Sequence, residues 1–290
     1  MFYRIRHRTT YRYEIPANLG HNEARLRPRD LPGQRCLSWK LSIEPGPEYH
    51  RERYDSFGNH IDHFSIQRPH TELVITAQSE VEVLSSRQLP LESAAAWDAV
   101  PGMLRAAKDA ASLDARAFAL ASPQVPVSAE LAEFARIDFA PGRPTLEGVA
   151  ALNARIFREF KFDPGFTTVS TPVADVLANR RGVCQDFAQV MIAALRSIHL
   201  PARYVSGYLE TLPPPGKPKL VGADASHAWV SVFVPGQGWV DFDPTNNVRP
   251  SDRHIITAIG RDYGDVAPLR GVTVGGTSHK LSVSVDVSPS

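Results

Sequence analysis

The stretch "RRGVCQDFAQVMIAALRSIHLPARYVSGYL" spans residues 180–209 and sets one of the chain's two cysteines, Cys184, two residues after a glycine. Phe187, Val190, Met191, Ala194, Leu195 and Ile198 recur at helical spacing. They predict a core-facing helix that opens at Cys184 and that Pro201 stops. "RYVSGYL" then reads as a strand. A helix N-terminus offers unpaired N–H groups and roughly +0.5 of an elementary charge, which favours a thiolate. A lone cysteine is more often an inert buried thiol, so its company decides.

That company lies downstream. "HAWVSVFV", "PGQG" and "WVDFDPT" read as strand, turn and strand, with His227 opening the first strand and Asp243 ending the second. An imidazole within reach can take the thiol proton and return it to a leaving group, and a carboxylate behind it fixes the ring. Parity makes a demand here. His227, Trp229, Ser231 and Phe233 share one face, and Trp239, Asp241 and Asp243 must join it for the aspartate to meet the histidine. This requires an odd loop or a bulge, for instance a five-residue loop from Val234 to Gly238; a strict four-residue loop would separate them.

Upstream, residues 1–85 read as strands. Tyr3, Ile5, His7, Thr9, Tyr11, Tyr13 and Ile15 alternate with Arg4, Arg6, Arg8 and Arg12. Leu37, Trp39, Leu41 and Ile43, and then Leu73, Ile75 and Ala77, repeat the pattern. This predicts an antiparallel sandwich-like module. Residues 86–144 turn alanine-rich, and "ESAAAWDAV" and "MLRAAKDAASLDARAFALA" favour helix. Residues 145–250 hold the chemistry. Thr145 is a candidate cap for a helix striped by Val149, Leu152, Ile156, Phe157 and Phe160. Thr171-Pro172 suggests another helix start, ended near Gly182 in a left-handed turn. "LPPPGKPK" reads as an exposed loop. In 251–290, "HKLSVSVDV" alternates Leu281, Val283, Val285 and Val287 as a final strand returning to a sheet.

"GVCQDFA" together with "ASHAWVSVFVPGQGWVDFDPTN" resembles the transglutaminase-like superfamily. The resemblance implies an α+β fold in which a β-rich N-terminal module precedes a papain-like catalytic domain. It implies Cys184 as nucleophile, His227 as base and Asp243 as orienting acid; Asp241 does not match. "YRIRHRTTYRY", "RLRPR" and "FGNHIDHFSI" look like the N-terminal module of bacterial members, and "GRDYGDVAPLRGVTVGG" like their closing segment. The implied activity is attack on an amide or peptide carbonyl through a thioester, released to water by a protease or amidase, or to an amine by a transglutaminase or ligase. A non-catalytic scaffold is the third reading. Association of bacterial relatives with peptide-bond-forming ATP-grasp proteins suggests a peptide or protein substrate and such a partner. The backbone N–H of Cys184 is the generic oxyanion donor. Phe160, Phe162 and Phe166 upstream cannot supply a second.

Other readings narrow the field. Lys plus Arg number 32 against 31 Asp plus Glu in 290 residues, which gives no basic field for nucleic acid. No apolar run suits a secretory signal or a membrane span, and two cysteines make no disulfide framework, so a cytoplasmic protein is expected. Cofactors are not expected. His60 and His63, with Asp62, invite a metal reading, but the turn-and-strand setting favours none. Trp229, Asp262 and Tyr263 are candidate substrate contacts, although Trp229 also suits hairpin packing. Cys36 has no comparable company.

Overall fold

The computed structural model describes residues 1–84, 88–211, 225–276 and 278–290; the proline-rich loop expected at 212–219 lies outside them. Five strands come first: β1 (Phe2–Ala24), β2 (Gln34–Glu44), β3 (Tyr49–Tyr54), β4 (His60–Ile66) and β5 (His70–Val83). Helices α1 (Val100–Ala106), α2 (Ala110–Arg116), α3 (Ala129–Arg136) and α4 (Thr145–Glu159) follow. The short strand β6 (Lys161–Phe162), helix α5 (Val173–Asn179) and short strand β7 (Arg181–Gly182) lead into α6 (Cys184–Ser197). Next come β8 (Ala202–Leu209), β9 (Ala225–Val234), β10 (Gly238–Phe242), β11 (His254–Gly260), helix α7 (Tyr263–Val266), β12 (Leu269–Gly275) and β13 (His279–Pro289).

The fold is α+β. One antiparallel sheet runs β2-β5-β1-β4-β3, with β12 and β13 also pairing β1. β1 is long enough to serve two neighbourhoods. Its first half lies between β5 and β13, and its last residues lie between β4 and β12, so the sheet curls around it. Tyr3, Ile5, His7 and Thr9 are buried as the alternation requires, whereas Ile15 is exposed, because pairing with β5 shifts register between Arg12 and Ala17. Leu37 is likewise pushed outward by a register shift between Cys36 and Ser38. On β13, Val285 and Val287 are buried while Leu281 and Val283 stay exposed.

A second antiparallel sheet, β10-β9-β8-β11, carries α6. Residues from Ala94 to Val266, including α1 through α6, share one apolar core. Every residue from Asp186 to Arg196 is buried, so α6 is enclosed on all sides rather than striped. Its buried Arg196 donates to the Ala202 carbonyl from Nε at 3.0 Å and Nη2 at 2.8 Å, and from Nη2 to the Arg261 carbonyl at 2.7 Å. Those bonds pin the end of α6 to the start of β8. The two sheets meet where Tyr3, Ile5, Val81, Val83, Val285 and Val287 pack on Tyr208 and Ile255.

Several local expectations give way to tertiary contacts. "ESAAAWDAV" is mostly not helical: Ala96 bridges Pro144, and the Ala95 carbonyl takes both the amide and the hydroxyl of Thr145. Thr145 is therefore inside α4 with its side chain engaged elsewhere, and Pro144 occupies the cap position. Phe157 is exposed, while Val149, Leu152 and Ile156 are fully buried. α5 is capped at its start by Pro172 and ended by Arg180 in the left-handed region (φ 53°), not by Gly182.

Candidate active site

Cys184 is the first residue of α6, where backbone N–H groups lack intrahelical partners. The carboxylate of Asp186 turns back to accept the Val183 N–H at 2.7 Å and the Thr167 hydroxyl at 2.6 Å. Burial raises the Asp186 pKa, although both donors act to lower it. Gly182 is needed for this cap: a Cβ there would come within 2.5 Å of the Asp186 carboxylate. The glycine before the cysteine therefore serves close approach, not a helix terminus.

The hairpin meets the parity demand. Val234 pairs with Gly238 and Trp239 with Phe233, leaving the odd loop Pro235–Gln237. Gly236 and Gly238 adopt φ of 78° and 83°, which the tight reversal requires. Asp241 then pairs with Ser231, and Asp243 follows on the same face as His227. His227 Nε2 donates to Asp243 Oδ2 at 2.7 Å. Cys184 lies close enough to the His227 ring to act on its protonation from the other side.

Asp243 is fully buried and fully occupied. Its Oδ1 accepts the backbone N–H of Thr245 at 2.9 Å and of Asn246 at 3.2 Å. Its Oδ2 accepts His227, the Asn246 amide at 2.7 Å and His254 Nε2 at 3.3 Å. Burial disfavours its charge, but these donors outweigh burial and hold the carboxyl well below the usual range. Burial likewise opposes charge on His227, yet Asp243 and Cys184 push its pKa up to about 10. The ring is therefore held as an imidazolium against the Asp243 carboxylate.

Trp229, Asp262 and Tyr263 occupy different places. Trp229 is fully buried, donates to Asp241 at 3.1 Å and sets its ring edge against His254 at 5.2 Å. It supports the histidines from inside and does not face the cleft. Asp262 is also buried; it caps α7 through the Gly264 N–H and accepts the Gln124 N–H at 3.0 Å. Tyr263 packs edge-on to Tyr204 and is partly buried. Tyr204 lies in the field of Cys184, Tyr263, Asp186 and Asp262. Burial and then these charges raise its pKa well above the ordinary value and keep the phenol protonated. His254, Asn246 and Tyr204 escaped the sequence reading. "DPTN" carried a signal for Asn246; His254 and Tyr204 depend on which strands become neighbours. Cys36 contrasts throughout: burial raises its pKa, and its sulfur donates to the Ser38 carbonyl.

A cysteine, a histidine and an aspartate thus come together at a helix start beside an antiparallel sheet, and the comparisons show the family. Residues 3–82 match the bacterial transglutaminase-like N-terminal region and residues 135–244 the transglutaminase-like superfamily. The chain belongs to that superfamily. It is 40% identical to an uncharacterized protein of Mycobacterium tuberculosis (strain ATCC 25618 / H37Rv), over 99% of this chain and 92% of that protein. It is 38% identical to a protein-glutamine gamma-glutamyltransferase of Pseudomonas aeruginosa, over 34% of this chain and 16% of that one. A protein named "Putative Cysteine Protease" from Cytophaga hutchinsonii shares the fold with a TM-score of 0.78. The two are 23% identical over 99% of this chain and 90% of that one. Among the described residues no helix is long and apolar enough to cross a membrane.

Proposed function

We propose that this protein is a cysteine enzyme that cleaves amide or peptide bonds of a peptide or protein substrate. The Cys184 thiolate attacks the carbonyl carbon, and negative charge collects on the carbonyl oxygen near the free N–H groups that open α6. Collapse breaks the C–N bond as His227 gives its proton to the departing amine, leaving a thioester on Cys184. His227 then takes a proton from water, which attacks the thioester and releases the carboxylic acid and the thiolate. Asp243 keeps the ring in one orientation and stabilises its charge throughout. The observation that carries this reading is the buried, fully hydrogen-bonded Asp243 holding His227 at 2.7 Å beside Cys184, since a binding scaffold has no need of it.

Transfer to an amine in place of water is the second reading, supported by the 38% identity over 108 residues to the Pseudomonas aeruginosa glutamyltransferase. Two unpaired cysteines support a reducing, cytoplasmic setting.

The test is the pH profile of Cys184 alkylation by iodoacetamide, with Cys36 replaced. Rapid alkylation well below pH 7, lost in His227→Ala, is expected for a thiolate–imidazolium pair. A single rise near an ordinary thiol pKa of about 8.5 in both proteins would overturn the reading. Primary amine added to an acyl-donor assay then separates the two acceptors: incorporation of the amine into product favours transfer, and its absence favours hydrolysis.

A further inference from the structure

β3 is an edge strand, exposed along its whole length, and it presents a second histidine–carboxylate cluster remote in sequence from Cys184. The register pairs Glu52 with Asp62, Tyr54 with His60 and His50 with Phe64. Alternation therefore puts His50, Glu52, His60 and Asp62 on one face. His63 falls on the other, opposite Arg51, where it stacks on His21 at 6.3 Å. The pair suggested by "GNHIDH" is thus split, and β3 supplies the partners instead.

The cluster is built from the inside outward. Asp62 is fully buried and His60 nearly so, while the side chains of His50 and Glu52 reach solvent. His50 Nε2 lies 2.8 Å from Asp62 Oδ1, and His60 Nε2 lies 3.1 Å from Glu52 Oε2. His60 Nδ1 is 3.4 Å from Asp62 Oδ2, but neither atom finds an aligned hydrogen-bond partner among the described residues. A buried carboxylate oxygen in this state has lost its hydration without a well-aligned donor in return, and a cation would relieve it.

One ligand atom each from His50, Glu52 and Asp62 lie within 4.8 Å of one another. Donors at about 2.0–2.2 Å from a tetrahedral ion sit roughly 3.4 Å apart, so a small closure brings these three around one centre. Imidazole nitrogen with two carboxylate oxygens, and no thiolate, suits a first-row divalent ion such as zinc. Calcium and magnesium need more oxygen ligands. The outward side leaves a position for water. His60 touches both carboxylates from behind, walled by Tyr54 at 5.6 Å and Trp39 at 6.3 Å, and would orient them.

We propose that His50, Glu52 and Asp62 form a site for a divalent transition-metal ion, zinc in type, with His60 orienting the carboxylates, which clamps β3 onto β4. The inference does not depend on the catalytic reading. The full chain carrying Cys36→Ser and Cys184→Ser, which removes both thiols, is titrated with Co²⁺ and then with Zn²⁺. Stoichiometric, saturable uptake with a visible cobalt band, displaced by zinc and raising the melting temperature, is expected. His50→Gln and Glu52→Gln, both exposed and expected to fold, should each weaken uptake roughly tenfold or more. Asp62→Asn should abolish it where circular dichroism shows the variant folded, and His63→Gln should leave it unchanged.

No saturable uptake at micromolar metal would overturn the proposal. So would uptake that survives His50→Gln and Glu52→Gln but disappears in His227→Ala. That result would place the ion at His227, Asp243 and His254, whose ligand atoms also lie within 4.8 Å of one another.

Discussion

Two histidine–carboxylate clusters sit on antiparallel strands of this molecule, and they differ in what their buried carboxylate lacks. Asp243 accepts from three side chains and two backbone amides, so neither oxygen has room for more. Asp62 accepts His50 on one oxygen, and among the described residues the other meets only His60 Nδ1, at 3.4 Å and out of line. The residue types are the same, but the number of donors differs. A saturated carboxylate holds a base in place, whereas an unsaturated one beside other ligands is open to a cation.

The sharpest way to break this contrast is Asp243→Asn. Turnover on an acyl donor should fall roughly 10⁴-fold as the imidazole loses its orienting charge, while cobalt uptake by the thiol-free chain should be unaffected. The same variant tests linkage. The folded His227 pKa, about 10, exceeds the unfolded value of about 6.5. The folded form therefore holds a proton that the unfolded chain releases between those values. The pair's stabilisation is complete below about pH 6.5 and fades as pH rises toward about 10. Melting temperatures measured across that window should decline more steeply in the wild type than in Asp243→Asn. Equal slopes would mean that the ion pair adds nothing.

A smaller effect is expected from Gly182→Ala. The new Cβ would push the Asp186 carboxylate off the Val183 N–H and uncap α6, a loss of about 1–3 kcal/mol by denaturant melts. Alkylation of Cys184 should slow in parallel; unchanged alkylation would mean that the cap has no part in reactivity. His254→Gln should matter least. It removes one long hydrogen bond to Asp243, and turnover should drop roughly tenfold or less. Its steady-state pH profile should shift if His254 positions the carboxylate, and stay in place if it only packs against Trp229.

The hairpin was legible because each strand alternates, but whether His227 and Asp243 share a face hung on the loop length, which the sequence left open and the Val234–Gly238 pairing makes odd. Cys184 at a helix start was legible from helical spacing and Pro201. His254 was not, because it comes from β11, whose place beside β8 no local pattern reveals. Nothing local marks Asp186 as the cap of α6, because its role depends on the close approach of Gly182. Helix ends failed for a related reason: Thr145 and Phe157 follow local propensity in sequence, but Ala95 claims the first and solvent the second. In the N-terminal sheet, "GNHIDH" was read as holding no metal, and the grouping of His50 and Glu52 with Asp62 depends on the register with β3, which no local pattern reveals.

β1 draws its neighbours from opposite ends of synthesis. Tyr3 pairs with Val81 on one side and with Pro289 on the other. While the ribosome is still making β9 and β10, one edge of β1 has no strand to bond. Its nascent sheet must wait with exposed N–H and C=O groups until β12 and β13 emerge. Closing pairs so far apart in the chain is slow, which makes this half of the molecule the late step in folding and the one exposed to edge-to-edge association. A chain cut after Gly260 would keep Cys184, His227 and Asp243, yet would leave that edge permanently open.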